Sequence, residues 1–315
     1  MTRVRAVGIV RPGGPDVLEV VEREVREPGE GEVRIRVAYA AVNPSDTATR
    51  ARGGAGEPPW VPGWDAAGVV ESVGSAVDGV AVGDEVMAVV WPGRPQGGAQ
   101  QELVVNLAAS VVPVPDGVSL EAAATLPMNG LTALAALDLL GLAAGRTLVV
   151  TGGAGHLASF AIPLAKERGL RVIADAKPDD EELVLSFGAD VVGARGGAFV
   201  DAVRAEVADG ADGVLDTALL NRDAFPLLRE GGVLVPVRGW SHGDSERGID
   251  IRPVLVRNAV ERTDWLHELR GLAARGRLPL RPLDAYPPER AAEAHRAMDA
   301  GGLRGRVLIA FTSSG

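Results

Sequence analysis

A glycine-rich turn in the middle of the chain has the residue types and spacing that bind phosphate. Residues 152–158 are Gly-Gly-Ala-Gly-His-Leu-Ala and directly follow the predicted buried strand Leu-Val-Val-Thr at 148–151. Gly153, Gly155 and Ala158 fit G-x-G-x-x-G/A. In that pattern the first glycine permits a tight turn, the second lets the backbone approach a pyrophosphate, and the small third residue packs helix against sheet. The helix N-terminus behind the turn favours an anion. A glycine-rich surface turn without a ligand is the alternative. The predicted dinucleotide contacts are Gly153, Ala154, Gly155, His156 and Leu157.

Charged residues after the next two predicted strands bear on which nicotinamide cofactor binds. In NAD sites an acid about 20 residues beyond the turn bonds the ribose 2′-OH, and Asp175 follows the predicted strand 171–174. Lys177 could instead pair with a 2′-phosphate, and Arg195 follows the third strand. One such charge-assisted bond is worth roughly 1.5–3 kcal/mol, enough to discriminate about tenfold. Lys177 could equally be a solvated loop lysine. We predict NADPH, with NADH the less favoured alternative.

The composition excludes several other kinds of chemistry. The sequence has no cysteine, which rules out a disulfide, a cysteine nucleophile and cysteine-ligated zinc. No two of the four histidines lie three or four residues apart, so no bound metal is expected. The net charge of −10 argues against nucleic acid. We find no uninterrupted run of about eighteen apolar residues and no signal-peptide core, so we expect no membrane association and a cytoplasmic protein.

Two segments with different sequence patterns must position these residues. Residues 1–118 consist of short β-branched runs between glycine and proline turn signals, which predict a small barrel or sandwich. From residue 119 an alanine-rich helical stretch leads into alternating apolar strands and helices, ending with a strand at 233–237. That alternation predicts an α/β domain with a doubly wound parallel sheet. The tail from residue 262 has the pattern helix, helix, strand.

An ordered set of short motifs resembles one family and covers essentially the whole chain. Together with the turn at Gly153, the clearest are Ala-Val-Asn-Pro-Ser-Asp at 41–46, Pro-Gly-Trp-Asp-Ala-Ala-Gly at 62–68, Leu-Pro-Met-Asn-Gly-Leu-Thr-Ala at 126–133 and Gly-Arg-Val-Leu at 305–308. The chain resembles the zinc-independent medium-chain dehydrogenases/reductases, closest to their quinone oxidoreductase branch. The resemblance implies a GroES-like catalytic domain at 1–118, completed by 262–315, a Rossmann NAD(P)-binding domain at 119–261, and a homodimer.

The resemblance also implies an enzyme that delivers hydride from NADPH to a small molecule. Zinc-dependent relatives carry a cysteine after the third strand and Gly-His-Glu where this chain has Gly63-Trp64-Asp65, so the zinc branch is excluded. Without a Lewis acid, the acceptor is expected to be an electrophilic π-system, a quinone or an α,β-unsaturated carbonyl. Two alternatives stay open: a biosynthetic tailoring reductase for one elaborate intermediate, or a non-catalytic NADPH-binding sensor or structural protein.

By the same resemblance, further residues line the active site. Asn43 and Thr132 would be catalytic, donating hydrogen bonds to a developing enolate or hydroquinone oxygen. An Asn-Pro turn and a helical threonine have purely structural uses as well. Asp46 would lie near the nicotinamide. For both Asp46 and Asp65 we favour a structural role, in which the carboxylate accepts hydrogen bonds from the backbone, over a catalytic one. The remaining cofactor contacts would be Thr217, Val237, Arg238 and Arg306, and the apolar substrate pocket would be formed by Trp64, Trp91 and Trp240.

Two positions depart from the family pattern. Ala48 stands where many relatives carry a tyrosine, which removes a proton donor and leaves the acceptor class open. His156 occupies a position in the phosphate turn that a small residue usually holds. It could touch a phosphate, but we expect its side chain to point to solvent.

Overall fold

The computed structural model describes residues 1–311, which divide into two compact units. The first consists of residues 1–128, 260–276 and 280 onward, and the second of residues 129–259 and 277–279. The first unit therefore extends ten residues past the predicted boundary at 118. The cause is local, because the backbone N–H of Met128 donates to the carboxylate of Asp65 within the first unit. Residues 312–315, which the sequence assigns to the first domain, lie outside the described residues.

The elements follow one another in chain order as strands first, then alternating strands and helices. The first segment contains β1 (Thr2–Ile9), β2 (Leu18–Val25), β3 (Glu32–Ala41), α1 (Pro44–Arg52), β4 (Asp65–Val73), β5 (Glu85–Val89), β6 (Leu103–Leu107), β7 (Val111–Pro113) and α2 (Leu120–Ala123). The middle segment contains α3 (Pro127–Leu140), β8 (Thr147–Thr151), α4 (His156–Glu167), β9 (Arg171–Ala176), α5 (Glu181–Ser186), β10 (Val191–Ala194), α6 (Ala198–Glu206), β11 (Ala211–Asp216), β12 (Leu228–Pro236) and β13 (Asp250–Ile251). The last segment contains α7 (Thr263–Ala274), β14 (Pro282–Tyr286), α8 (Ala291–Ala300) and β15 (Arg306–Ala310).

The first unit is built around a seven-stranded sheet with the order β14-β15-β3-β4-β5-β7, and β6 also pairs with β3. Strands β1 and β2 form a separate antiparallel pair. The inward side chains of β3, Val33, Ile35 and Val37, pack in one core with valines of the neighbouring strands. The terminal strand β15 pairs with β3, with Leu308 opposite Ala41, so the end of the chain completes this sheet.

The second unit contains the predicted parallel, doubly wound sheet. Its six strands have the order β10-β9-β8-β11-β12-β13, and every pairing is parallel. All five residues of β8 are buried, as expected for a central strand covered on both faces. The strand order reverses between β8 and β11. Ligands of such sheets bind outside the carboxyl ends of the strands at this reversal, which is where the glycine-rich turn lies.

Several elements differ from the sequence-based prediction. Residues 224–229, predicted as a helix, instead belong to a 3₁₀ turn at Asn221–Leu227 followed by β12, because Pro226 has no N–H for a helix ladder. Strands β13 and β14 were not predicted; each depends on pairing with a partner distant in sequence. Helix α3 begins at Pro127 and continues through Gly130, where interruptions were expected. Proline is well tolerated in the first turn of a helix.

One stretch, Leu120–Leu140, is long and apolar enough by length and composition to cross a membrane. In the structure 78% of the 18-residue window that passes this test is buried inside the protein. The core helix of a soluble domain passes the same test of length and hydropathy, so this stretch is weak support for a membrane span.

Candidate functional site

The glycine-rich turn joins β8 to α4, and its three glycines have different roles. Gly152 has a φ of +70°, a left-handed conformation that side chains disfavour. The conformational freedom predicted for Gly153 is therefore needed one residue earlier. Gly153 must lack a side chain for another reason: a Cβ there would lie 2.7 Å from the backbone oxygen of Asp175. Gly155 is the N-cap of α4, and its N–H donates to the Gly152 oxygen at 2.8 Å.

His156 begins α4 and does not point to solvent, which corrects the sequence-based expectation. Its exposed fraction is 2%, and its ring packs edge-on against Phe160 with 4.8 Å between centroids. The imidazole is large enough to reach that ring one turn further along the helix, so packing accounts for its burial. Ala154 is also buried, whereas Leu157 is half-buried.

Asp175 lies directly beneath the turn. One carboxylate oxygen accepts from the N–H of Gly152 and, at 3.3 Å, from the N–H of Gly153. The other oxygen accepts from Arg195 Nε at 2.7 Å. The residue is 5% exposed. Its carboxylate is thus occupied by the turn on one side and by a guanidinium on the other.

Lys177 and Arg195 are neighbours at the carboxyl edge of the sheet. Ala176 of β9 and Ala194 of β10 are register partners, and each cation directly follows one of them. The N–H of Arg195 also donates to the Ala176 oxygen at 2.9 Å. Lys177 is exposed and makes no ion pair within residues 1–311. The three charged residues singled out in the sequence are therefore brought together next to the phosphate turn.

The loop after β11 is held by Asp216, a buried residue at the end of that strand that is not among the predicted site residues. Its carboxylate accepts from the Thr151 hydroxyl at 2.7 Å and from the Asn221 N–H at 2.7 Å. Thr217 donates its hydroxyl to the Thr151 oxygen. Leu219 and Asn221 both have positive φ, and strain of this kind collects at functional edges. The sequence signal that could have identified Asp216 is an aspartate at the end of a predicted buried strand.

Val237 and Arg238 follow the next strand of the same sheet. The Val237 N–H donates to the Asp216 backbone oxygen at 3.3 Å. Arg238 is exposed and has a φ of +66°. Both of these predicted cofactor contacts therefore lie at the carboxyl edge, beside the loop after β11.

A second polar cluster, in the first unit, connects Asn43, Asp65 and Arg306. The Asn43 amide nitrogen donates to Asp65 at 2.7 Å, and the Asn43 side-chain oxygen accepts from Arg306 Nε at 2.8 Å. Asn43 has no exposed surface and Arg306 is 7% exposed, so both side chains are buried. The structure places Arg306 on β15 against Asn43, and its predicted contact with a cofactor phosphate stays a prediction.

The two carboxylates of this cluster bond backbone N–H groups. Asp46 forms a capping box with Asn43 at the start of α1 and also accepts from the Gly63 N–H at 2.8 Å. Asp65 accepts from the Met128 N–H at 2.6 Å, in the first turn of α3. Burial raises the pKa of both carboxyl groups to about 7, whereas these donors and the charge of Arg306 favour the ionised form.

The contacts of Asp65 and the composition bear on whether the first unit could hold zinc. Both oxygens of Asp65 already accept hydrogen bonds from nitrogen donors, and the sequence provides no cysteine. Among the residues that the structure describes, no three histidine, cysteine, aspartate or glutamate side chains form a group that could hold a metal.

The remaining predicted site residues are divided between the two units. Thr132 lies in α3 and is 8% exposed. Trp64 and Trp91 are half-buried in the first unit. Trp240 belongs to the second unit, where it stacks on Phe225 with 5.9 Å between ring centroids. Packing within the second unit therefore accounts for part of the burial of Trp240, and the tryptophan-lined pocket stays a prediction.

The β-rich unit and the parallel-sheet unit with its phosphate turn define a two-domain nicotinamide-type dehydrogenase fold, and comparison with known families agrees. The alcohol dehydrogenase GroES-like domain matches residues 29–116, and the zinc-binding dehydrogenase domain matches residues 187–309. The NADPH-dependent alkenal/one oxidoreductase of Arabidopsis thaliana is 31% identical over 94% of this chain and 77% of its own length. The chain belongs to the medium-chain dehydrogenase/reductase superfamily.

Two further matches connect the chain to enoyl and quinone reductases within that superfamily. A trans-enoyl reductase of Aspergillus terreus is 38% identical over 58% of this chain and 65% of its own length. The structure of the quinone oxidoreductase from Coxiella burnetii superposes with a TM-score of 0.85 at 25% identity, covering 99% of this chain and all of that one. The chain spans only 58% to 65% of the length of the first curated relatives that it matches.

Proposed function

We propose that this chain is an NADPH-dependent reductase that delivers hydride to an α,β-unsaturated carbonyl or a quinone without a metal. The observation that carries this proposal is the phosphate turn between β8 and α4, with Lys177 and Arg195 side by side at the adjacent strand ends. The name of the Arabidopsis relative, an NADPH-dependent alkenal/one oxidoreductase, supports both the cofactor and the acceptor class.

The residues of the second unit fit the dinucleotide. Asp175 fixes the glycine-rich turn, and the N-terminus of α4 favours the pyrophosphate. Lys177 and Arg195 provide two positive charges for a 2′-phosphate. When bound, NADPH would supply hydride from C4 of its nicotinamide ring.

The reaction then needs an acceptor whose double bond is already polarised. In an enone, hydride adds to the β-carbon, the π electrons move to the carbonyl oxygen, and water supplies the proton that ends on the α-carbon. We propose that the Thr132 hydroxyl donates a hydrogen bond to the developing enolate oxygen. The amide of Asn43 is already bonded to Asp65 and Arg306, so we propose that Asn43 is a positioning residue.

Turnover with a panel of acceptors tests the proposal. Purified protein is mixed with NADPH and a short-chain alkenal, a cyclic enone or a simple quinone, each with and without a metal chelator. We expect NADPH oxidation with at least one acceptor, unchanged by the chelator. Loss of activity with the chelator would contradict the metal-free mechanism. NADPH binding without turnover of any acceptor would favour the non-catalytic alternative.

We also propose a homodimer joined through the edges of the parallel sheets. Light scattering on the eluted protein should then give twice the mass of one chain, and a single-chain mass would contradict it. The cytoplasmic location stays a prediction from the sequence.

A further inference from the structure

The carboxylate of Asp175 stands where NAD-binding folds place the acid that bonds the adenine ribose, yet its contacts differ from that role. Both of its oxygens already accept hydrogen bonds, from Gly152 and Gly153 on one side and from Arg195 on the other. With 5% of the residue exposed, little of the carboxylate is left for a ribose hydroxyl to reach. A ribose contact would require one of these bonds to break.

We propose that Asp175 is a positioning residue. It fixes the phosphate turn through two backbone N–H groups and aims Arg195 at the 2′-phosphate, and it is not the acid that binds ribose. The inference rests on the proposed NADPH site and deepens it, because it assigns the basis of cofactor preference to the Asp175–Arg195 pair.

Arg195 has the geometry for such a role. Asp175 bonds only its Nε, while its terminal nitrogens make no hydrogen bond to any residue in 1–311. Its side chain is 42% exposed. A guanidinium held by one edge keeps its remaining donors for a second anion, and its planar fork matches phosphate oxygens. The ion pair with Asp175 therefore fixes the position of Arg195 and leaves its terminal nitrogens, which can bind phosphate, available.

The charges at this edge also favour an added phosphate. Arg195 neutralises Asp175, which would otherwise repel a 2′-phosphate, and Lys177 adds an unpaired positive charge beside it. Negative charges that oppose phosphate binding follow in the chain. Residues 179–182 are all acidic and lead into α5. Affinities for both cofactors must therefore be measured for each variant.

Three variants distinguish the contact of Asp175 with the turn N–H groups from its contact with Arg195. In Asp175→Ala both are lost. Asp175→Asn keeps an oxygen for the turn N–H groups but places an amide N–H₂ against Arg195, which is also a donor. Arg195→Gln keeps the turn and removes the guanidinium. Dissociation constants for NADPH and NADH are measured by fluorescence titration of each purified protein.

A matched control exists at the opposite edge of the same sheet. Asp212 likewise joins the backbone to arginine: it accepts from the Thr147 N–H and from two arginines, Arg229 and, at 3.3 Å, Arg146. It lies at the amino ends of β8 and β11, away from the phosphate turn. Asp212→Asn should lower the melting temperature in the same way as Asp175→Asn and leave both cofactor affinities unchanged.

The expected pattern is specific. Asp175→Ala should weaken NADPH and NADH alike, by about tenfold or more, since both share the pyrophosphate. Asp175→Asn and Arg195→Gln should weaken NADPH by about tenfold and change NADH by less than threefold or so. Amide hydrogen exchange at Gly152 and Gly153 should accelerate in Asp175→Ala without any cofactor present.

Other outcomes would overturn the inference in recognisable ways. Selective loss of NADH, or tighter NADPH, in Asp175→Asn would mean that Asp175 is the ribose acid after all. Equal losses in the Asp212→Asn control would assign the effect to general stability. If the wild-type protein bound neither cofactor while Gly152 exchange still depended on Asp175, the proposed function would fail and only the turn contact would remain.

Discussion

Gly152, Gly153 and Gly155 lack side chains for three separate reasons. Gly152 needs a positive φ, Gly153 lies against the Asp175 backbone, and Gly155 begins the helix at the expected pyrophosphate. The spacing of glycines predicts such a turn because only this residue type permits all three arrangements. It does not say which glycine has which task, because adjacent glycines are equivalent until the strand that packs against them is placed.

The glycines give a paired prediction. A Cβ on Gly155 would approach only the Gly152 oxygen, at 3.0 Å, whereas one on Gly153 would lie 2.7 Å from the Asp175 oxygen. Gly155→Val should therefore keep the far-ultraviolet circular dichroism of the wild type but lose cofactor binding. Gly153→Ala should lower the melting temperature. Unchanged cofactor affinity in Gly155→Val would refute the phosphate assignment.

Lys177 gives a second prediction at the scale of one residue. If it pairs with the 2′-phosphate, Lys177→Ala should weaken NADPH by about tenfold and spare NADH, because only NADPH carries that group. The matched control is Lys166→Ala, which removes the only other lysine, one that is paired with Asp190. Fluorescence titration measures both. Equal losses for the two cofactors would mean that another residue recognises the phosphate.

At the scale of elements, strand–helix alternation was enough to predict the parallel sheet, because its strands are continuous apolar runs. Two strands escaped prediction. Strand β13 has only two residues, and β14 begins at a proline, so neither has a local signal. The polar cluster of Asn43, Asp65 and Arg306 also escaped prediction as a unit. Its members come from three distant segments, which only the pairing of β15 with β3 and of β3 with β4 brings together.

That cluster leads to a prediction about stability. Asn43→Ala would remove one hydrogen bond from Asp65 and one from Arg306, both of which are buried. We expect a loss of about 1–3 kcal/mol in the free energy of unfolding, measured by urea denaturation. Thr49→Ala is the control, because the Thr49 hydroxyl bonds only the Ser45 oxygen within α1. A loss no larger than that of the control would contradict a supporting role for the cluster.

At the scale of the whole molecule, buried titratable groups set how stability depends on pH. Burial lowers the pKa of His295 to about 3, and the adjacent Arg50 lowers it further while Asp299 opposes the shift. Between pH 6.5 and 3 the unfolded chain therefore binds a proton that the folded chain does not, so this histidine reduces stability as the pH falls. Asp46 and Asp65 act in the opposite direction between about pH 4 and 7, since burial raises their pKa values.

Substituting His295 isolates its contribution. The wild type should lose about 2 kcal/mol more than His295→Leu between pH 7.5 and pH 5, because the variant has no histidine to titrate. His267→Gln, which changes an exposed histidine on α7, should behave as the wild type does. Urea denaturation at the two pH values gives the comparison. The same pH dependence in all three proteins would contradict a buried, neutral His295.

The central claim, that the second unit is an NADPH site, is tested most directly by fluorescence titration of the wild-type protein with NADPH and, separately, with NADH. The contacts of Asp175, Lys177 and Arg195 predict saturable NADPH binding that is about tenfold tighter than NADH binding. NADH binding as tight as NADPH binding would contradict the assignment of the two cations, and no binding of either would contradict the reductase proposal itself.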